Sequence, residues 1–471
     1  MNIDLLEPGT PPGLNVLVIA YYFPPMGLSG VQRTLKFVKY LPEFGWRPII
    51  LTPSEMPYYA HDESLMEELD LLLGKDFVRI VRTPESGAPH IGYRVSGMGH
   101  GDNPASGTRK PDTRNSVPDT RRLKLPSARV QRFRSRVLQT FYQPDSRIGW
   151  KKHALKTAEH IFREERIDAM FATAPPFTSL LIARELSEKY HVPYLMDYRD
   201  AWVANKALNF YATPFHKAYA RKLEDECLRG SSAVTVVSRA MKEALLRNYP
   251  FLRHEDVIIV PHGFDAEDIY AAAQVADTYR RPEKFRVAYG GAFYVGYPGR
   301  SPIPMFEAIT LAIKKEPEFG EDLELVIVGL LHKEYTRAIT KMGLAQNVDM
   351  VGYLPHRQEL AELLASDVLW MIVGDPLSTP GKLYEYLGTH KPILGLVEPG
   401  SQSEKILKDY GAGISVGPKD VPAIADALLD LYHRWRKTQL PHNINLPFVE
   451  GFDRKRLSKE MARQLGLMLR P

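Results

Sequence analysis

The segment NVLVIA at residues 15–20, with the turn PPMGLSG at residues 24–30 and the helical run at residues 31–41, decides the fold class. A short run of consecutive apolar residues is typical of a parallel strand that is buried on both faces. A glycine-containing turn and a helix are the next two parts of a βαβ unit, from which parallel sheets are built. This segment therefore predicts an α/β protein.

The same alternation continues along the chain in two blocks, which a polar linker over about residues 266–284 separates. Further strands are predicted at residues 48–51, 78–81, 169–173, 194–196, 233–237, 257–260, 285–289, 325–328, 348–351, 368–373 and 392–396. Long βαβ alternation predicts parallel sheets covered by helices on both faces. We therefore predict two doubly wound, Rossmann-like domains that face each other across a cleft, with ligands at the carboxyl ends of the strands.

The predicted domains lie at residues 1–265 and at residues 266–452. An amphipathic helix at residues 453–471 could cross back to the first domain. An insertion at about residues 84–140 is rich in Gly, Pro, Ser, Asp and Arg, which predicts partial disorder. Its arginines between residues 121 and 136 could contact anionic lipid headgroups, or the insertion could be a solvated flap.

Composition narrows the class of protein further. A length of 471 residues favours two domains, and a net charge of +5 does not indicate a nucleic-acid partner. The only cysteine, Cys227, allows no disulfide within the chain and is predicted to be a buried helical residue. We see no signal peptide and no apolar run of roughly 20 residues. We therefore expect a cytoplasmic protein, either free or peripheral at the inner face of the cell membrane.

Two glycine-containing turns are candidate phosphate sites. Gly27 and Gly30 lie between the first strand and its helix, and Gly290 and Gly291 follow the strand at residues 285–289, with Arg300 shortly after. Glycine lets a ligand approach the backbone, and a helix N-terminus offers N–H groups to phosphate. The first could equally be a plain tight turn, and the second a glycine-rich loop with a solvated arginine. Neither has the G-x-G-x-x-G spacing of a dinucleotide site.

The segment DPLSTPGKLYEYLG at residues 375–388 follows a predicted strand and opens a helix. Lys382 in the first turn suits a helix N-terminus only if an anion lies nearby. Glu385 lies on the same face, one turn later. A lysine for phosphate and a carboxylate for ribose hydroxyls would suit a nucleotide diphosphate; the alternative is a surface ion pair.

A polar and aromatic cluster, MDYRDAW at residues 196–202, directly follows another strand. Its charged residues could line the cleft or form a structural network. The sequence shows no D-x-D, no Walker P-loop, no H-E-x-x-H and no Cys/His zinc spacing. This favours metal-independent chemistry.

Taken in order, several segments make the chain resemble the retaining glycosyltransferases of family 4, which have the GT-B fold. The resemblance is carried by YYFPP at residues 21–25, TAPP at 173–176, DYRDAW at 197–202, VVS at 236–238, PHGFD at 261–265 and KLYEY at 382–386. It covers nearly the whole chain apart from the insertion. Many members have a second glutamate eight residues before the ribose glutamate. Here that position is Leu377, and the nearest acid is Asp375.

The resemblance implies that residues 1–265 form the acceptor-side domain and residues 266–452 the nucleotide-sugar-binding domain. It also assigns roles to the candidate residues. It implies that Glu385 holds the donor ribose, and that Arg300 and Lys382 neutralise the diphosphate leaving group. We predict as catalytic residues Arg300, Lys382 and Asp197. The predicted donor-binding residues are Gly27, Gly30, Gly290, Gly291, Glu385 and Asp375. The predicted acceptor-side residues are Arg199, Asp200 and Trp202.

The resulting hypothesis is a retaining, metal-independent glycosyltransferase that needs no cofactor. The donor would be a nucleotide sugar of the UDP or GDP type, and the acceptor a glycan or a lipid-linked molecule in surface polysaccharide or glycoconjugate biosynthesis. Two alternatives remain open: a nucleotide-sugar epimerase of the same fold, and a non-catalytic protein that binds sugar nucleotides or glycans.

Overall fold

A computed structural model describes residues 12–27, 29–54, 61–84, 142–204, 211, 213–293, 301–374 and 379–469. Nearly all of the insertion predicted at residues 84–140 lies outside these ranges, as do the predicted site residues Arg300 and Asp375 and the position of Leu377. Within the described ranges, no helix is both long enough and apolar enough to cross a membrane.

The first domain is built on a parallel sheet of seven strands in the order β3-β2-β1-β4-β5-β6-β7. The strands are β1 (Leu14–Ile19), β2 (Trp46–Pro53), β3 (Arg79–Thr83), β4 (Ala169–Ala174), β5 (Tyr194–Tyr198), β6 (Ala233–Val236) and β7 (Val257–Ile259). The helices are α1 (Ser29–Tyr40), α2 (Ser64–Gly74), α3 (Trp150–Glu164), α4 (Thr178–Tyr190), α5 (Pro214–Gly230) and α6 (Arg239–Asn248). Cys227 is buried in α5, as predicted.

The second domain repeats this plan with six parallel strands in the order β10-β9-β8-β11-β12-β13. The strands are β8 (Phe285–Gly290), β9 (Leu323–Val328), β10 (Val348–Gly352), β11 (Val368–Val373), β12 (Ile393–Val397) and β13 (Gly413–Val416). The helices are α7 (Ala266–Ala276), α8 (Ile303–Lys315), α9 (Pro317–Asp322), α10 (Lys333–Lys341), α11 (His356–Leu364), α12 (Gly381–Gly388), α13 (Gln402–Tyr410), α14 (Val421–Arg436), α15 (Leu446–Glu450) and α16 (Arg454–Leu467).

Two doubly wound domains confirm the predicted fold class, and the first strand shows the physical reason. Leu17 and Ile19 pack into the core on one face of the first sheet, and Val16 and Val18 pack into the core on the other. Because successive side chains of a strand point to opposite faces, a strand covered on both sides is apolar at every position. The edge strand β13 was not predicted, because its four residues are only partly buried or exposed.

The C-terminal helix α16 packs on the first domain, although the chain reaches it from the second. Leu457, Met461 and Leu465, spaced one turn apart, are buried in the same cluster as Leu35 of α1. The two segments that pass between the domains also pair, because the Phe264 N–H donates to the Phe452 carbonyl at 3.1 Å. The domains are therefore joined by two adjacent crossings of the chain.

Candidate active site

A cavity of about 430 Å³ lies between the two domains. The second domain contributes the ends of β8, β9 and β11 and the start of α12, and the first domain contributes Gly27 and Gln32. The volume is in the range of sites for small molecules. Open parallel sheets bind ligands at the carboxyl ends of their strands, so this cavity is the candidate active site.

Lys382 lies in the first turn of α12 and faces this cavity. Its ammonium group forms an ion pair with the Glu359 carboxylate, and a side chain on Gly290 would place its Cβ 3.3 Å from the lysine Nζ. Burial opposes the charge of Lys382, but Glu359 and Glu385 outweigh burial and raise its pKa. Lys382 is therefore a fixed cation beside the backbone of the second glycine turn.

Glu385 lines the same cavity, one turn after Lys382. Its Oε1 lies 3.2 Å from Nε2 of His356, and the other ring nitrogen of His356 lies 3.6 Å from Asp268 Oδ2. Burial opposes ionisation of both partners. The hydrogen bond between them nevertheless lowers the pKa of Glu385 to about 2 and raises the pKa of His356 to about 9. Glu385 thus stays a charged hydrogen-bond acceptor at neutral pH.

The second glycine turn packs closely against these side chains. A Cβ on Gly290 would lie 2.5 Å from Glu359 Oε1, and Gly291 has a positive φ of 139°. The Gly290 N–H donates to the Tyr386 hydroxyl at 2.8 Å, so it is not free for a ligand. Gly291 lines the cavity and remains a candidate for backbone contact with phosphate.

The first glycine turn is explained by contacts within the protein. A Cβ on Gly27 would lie 1.9 Å from the hydroxyl of Tyr353, which donates to the Gly27 carbonyl at 3.3 Å. A Cβ on Gly30 would lie 2.9 Å from Nη1 of Arg199. Gly27 also lines the cavity. These glycines therefore permit close packing, and a role in donor binding stays a prediction.

Asp197, predicted to be catalytic, is fully buried in the first domain. Its Oδ1 accepts from Arg33 Nη2 at 2.7 Å and from the Thr235 hydroxyl at 2.8 Å, and its Oδ2 accepts from the Thr173 hydroxyl at 3.0 Å. Burial disfavours its charge, but the Arg33 guanidinium lowers the pKa of Asp197. Since neither oxygen is left for a reactant, we reassign Asp197 from catalysis to holding Arg33.

The predicted acceptor-side residues have different environments. Trp202 is 1% exposed and stacks on Phe177 with 4.6 Å between ring centroids, so it is a core residue rather than an acceptor contact. The Arg199 guanidinium donates to the carbonyls of Gly30 and Pro175 and ties together the ends of the first glycine turn and β4. Asp200 lies beside Arg199 and is partly exposed, and its acceptor role stays a prediction.

His262 lies in the segment at residues 261–265, and no sequence pattern predicted a role for it. Its ring centroid lies 6.2 Å from that of Tyr384, near the start of α12. Burial lowers the pKa of His262, and the nearby cations Arg33, Arg454 and Arg199 lower it further. A neutral imidazole thus faces the second domain at the crossing between the domains. His356 and Glu359 were missed as well; only the geometry of α11 connects them to α12.

In the part of the chain that is described, one group of carboxylates has the spacing of a metal site: Glu68, Asp265 and Asp268. The ammonium group of Lys36 already lies among them, 2.8 Å from Asp265 Oδ2 and 2.7 Å from Asp268 Oδ2. This ion cluster joins α1 to α2 and α7, and the charge of Lys36 offsets part of the negative charge of the three carboxylates.

Family models match most of the chain. Residues 30–263 match the glycosyl transferase 4-like domain, and residues 292–434 match glycosyl transferases group 1. No curated protein sequence matches the chain.

Solved structures share the architecture over nearly the full length. HepE from Anabaena in complex with UDP-glucose has a TM-score of 0.60 at 14% identity, covering 97% of this chain and 100% of its own. Sucrose-phosphate synthase from Thermosynechococcus elongatus has a TM-score of 0.60 at 13% identity, covering 96% and 98%. A glycosyltransferase from Rickettsia africae has a TM-score of 0.59 at 14% identity, covering 97% and 99%. At such identities the likeness shows a shared fold.

Proposed function

Because the chain belongs to the glycosyltransferases of the GT-B fold, we propose that it transfers a sugar from a nucleotide-diphosphate sugar with retention of configuration and without a metal ion. The acceptor is a glycan or a lipid-linked molecule of surface polysaccharide or glycoconjugate biosynthesis. Support for the donor class comes from a neighbour of the same fold that was solved with UDP-glucose.

One observation carries the proposal. Lys382 and Glu385 lie on one turn of α12 and open together onto the cavity between the domains, beside Gly291. A departing nucleoside diphosphate gains negative charge in the transition state, and a fixed cation in a site that excludes water stabilises that charge. The ionised Glu385 can accept hydrogen bonds from ribose hydroxyls. Arg300, which lies outside the described residues, would add a second cation.

Retention is supported by the state of the cavity carboxylates. Glu359 is paired with Lys382 and Glu385 with His356, so neither of these lining acids is free to act as a general base. In the proposed transfer the bond between the sugar and the diphosphate breaks through an oxocarbenium-like transition state. The acceptor hydroxyl attacks the same face of the sugar, and its proton passes to the departing phosphate oxygen.

A donor screen tests the proposed substrate class. Thermal unfolding is measured with UDP-sugars, GDP-sugars and free sugars as controls. A cognate donor at 100 times its dissociation constant should stabilise the fold by about 2.7 kcal/mol. If no nucleotide sugar raised the unfolding temperature, the proposed donor class would be wrong. Conversion of the donor in the absence of any acceptor would instead identify an epimerase.

Metal independence is tested separately, with the cognate donor and acceptor in hand. Lys382 and the start of α12 supply positive charge where a metal would otherwise bridge the phosphates. We therefore expect the transfer rate to be unchanged after treatment with EDTA. A loss of activity that added Mg²⁺ or Mn²⁺ restores would contradict this part of the proposal.

A lipid-linked acceptor would require contact with a membrane. The basic stretch at residues 121–136 is the sequence feature that suggests such contact, and it lies outside the described residues. Co-sedimentation with anionic liposomes should decrease when this stretch is deleted. Unchanged co-sedimentation would leave the glycan acceptor as the better proposal.

A further inference from the structure

A single carboxylate, that of Asp62, caps two helices from different domains. Its Oδ1 accepts from the backbone N–H of Ser64 at 3.1 Å, at the start of α2 in the first domain. Its Oδ2 accepts from the backbone N–H of His356 at 2.8 Å, at the start of α11 in the second domain. Asp62 is only 3% exposed. A carboxylate at a helix N-terminus satisfies free N–H groups and interacts favourably with the helix dipole.

Helix α11, which Asp62 caps across the domain boundary, also contacts both candidate donor-binding side chains, which are on α12. His356 and Glu359 are three residues apart on α11, and Glu385 and Lys382 are three residues apart on α12. The pairs are complementary in charge: His356 contacts Glu385, and Glu359 contacts Lys382. The position of the first turn of α11 therefore sets the position of both groups that face the cavity.

Asp62 does not line the cavity, so it is not placed to touch a donor. Removing its carboxylate would leave the His356 N–H without its acceptor and would loosen the first turn of α11. The His356 ring would then hold Glu385 less firmly. Loss of the Asp62 carboxylate in the first domain would therefore disturb the cavity in the second domain, through the backbone of α11 and its two ion pairs with α12.

We propose that Asp62 is a positioning residue for donor binding: the first domain uses it to fix α11, and α11 orders Glu385 and Lys382 in the second domain. This inference rests on the proposed function, because it assumes that the nucleotide diphosphate binds at these two residues. It predicts that donor affinity depends on contact between the domains before any acceptor binds.

The test measures the binding of UDP and of GDP to the full chain by calorimetry. Asp62→Ala should weaken the Kd of whichever nucleotide binds by about fivefold, since the loss of a helix cap is worth ~1 kcal/mol. Asp62→Asn should recover part of the affinity, because one carbonyl oxygen can still cap a helix. Glu63→Ala is the matched control; its side chain is 69% exposed and forms an ion pair with its neighbour His61. It should bind as the wild type does.

A double-mutant cycle distinguishes a positioning role of Asp62 in donor binding from a merely structural role. In a Glu385→Ala background, Asp62→Ala should cause a smaller further loss of affinity than in the wild type, because one of the two groups that it positions is gone. An undiminished loss of about fivefold in that background, or a wild-type Kd for Asp62→Ala, would overturn the inference while leaving the proposed function intact. If the wild type bound neither nucleotide, the proposed donor class and this inference would both fall.

Discussion

The pairing of His356 with Glu385 should make the stability of the protein depend on pH in a specific way. His356→Gln keeps a side-chain amide that can donate to Glu385 but removes the charge that titrates. The His356 side chain is 14% exposed, and its pKa rises from 6.5 to about 9 in the folded protein. At ~1.4 kcal/mol per pH unit, this rise corresponds to ~3 kcal/mol of stability.

The sign follows from linkage. A group whose pKa is raised by folding contributes its full stability below the pKa of the unfolded chain, here 6.5, and loses it as pH rises through about 9. The Glu385 carboxylate, with a pKa lowered to about 2, is ionised throughout that window. The wild type should therefore exceed His356→Gln in free energy of unfolding by ~3 kcal/mol at about pH 6, and by little at about pH 10.

Urea unfolding of both proteins at the two pH values measures the difference between their free energies of unfolding. The titration of all other groups contributes equally to both proteins and cancels when the two free energies are subtracted. His160→Gln is the matched control, because His160 is exposed near the end of α3. It should show no comparable change with pH. A difference between wild type and His356→Gln that stayed constant from about pH 6 to about pH 10 would refute a charged His356–Glu385 pair.

Further substitutions test the remaining assignments. Lys382→Ala should reduce kcat on the order of 100-fold, as removal of one transition-state donor does; near-normal turnover would end its proposed role. Asp197→Ala should lower the free energy of unfolding by ~3–5 kcal/mol in urea, because it leaves Arg33 buried without its carboxylate; unchanged stability would contradict the structural role. Gly27→Ala should weaken domain packing and donor affinity by clashing with the Tyr353 hydroxyl, and Tyr353→Phe in the same chain should relieve the clash; no relief would mean that another contact excludes alanine.

The alternation of strands and helices could be predicted from the sequence because each element carries its own local pattern. In β4 and β11 every residue is buried, so the apolar runs at residues 169–173 and 368–373 were sufficient evidence for strands. The placement of Lys382 and Glu385 on one face of a helix was equally local, since it depends only on three-residue spacing. The exposed edge strand β13 lacked such a pattern and was missed.

The burial of the segment at residues 197–202 could not be predicted in the same way. A charged residue after a strand is compatible both with a cleft and with a buried network, and local pattern does not distinguish them. Asp197 belongs to a network because Arg33, which lies 164 positions away in the sequence, reaches it inside the first domain. Trp202 is in the core because Phe177 on α4 stacks against it.

By itself, the sequence determined two parallel αβ domains, the segment that opens α12 and the charges which that segment presents. Only the tertiary structure decided what those charges meet: His356 and Glu359 on a neighbouring helix, and Asp62 from the opposite domain. The physical reason is that periodicity reports which face of an element is buried, whereas hydrogen bonds between distant side chains depend on how the elements pack.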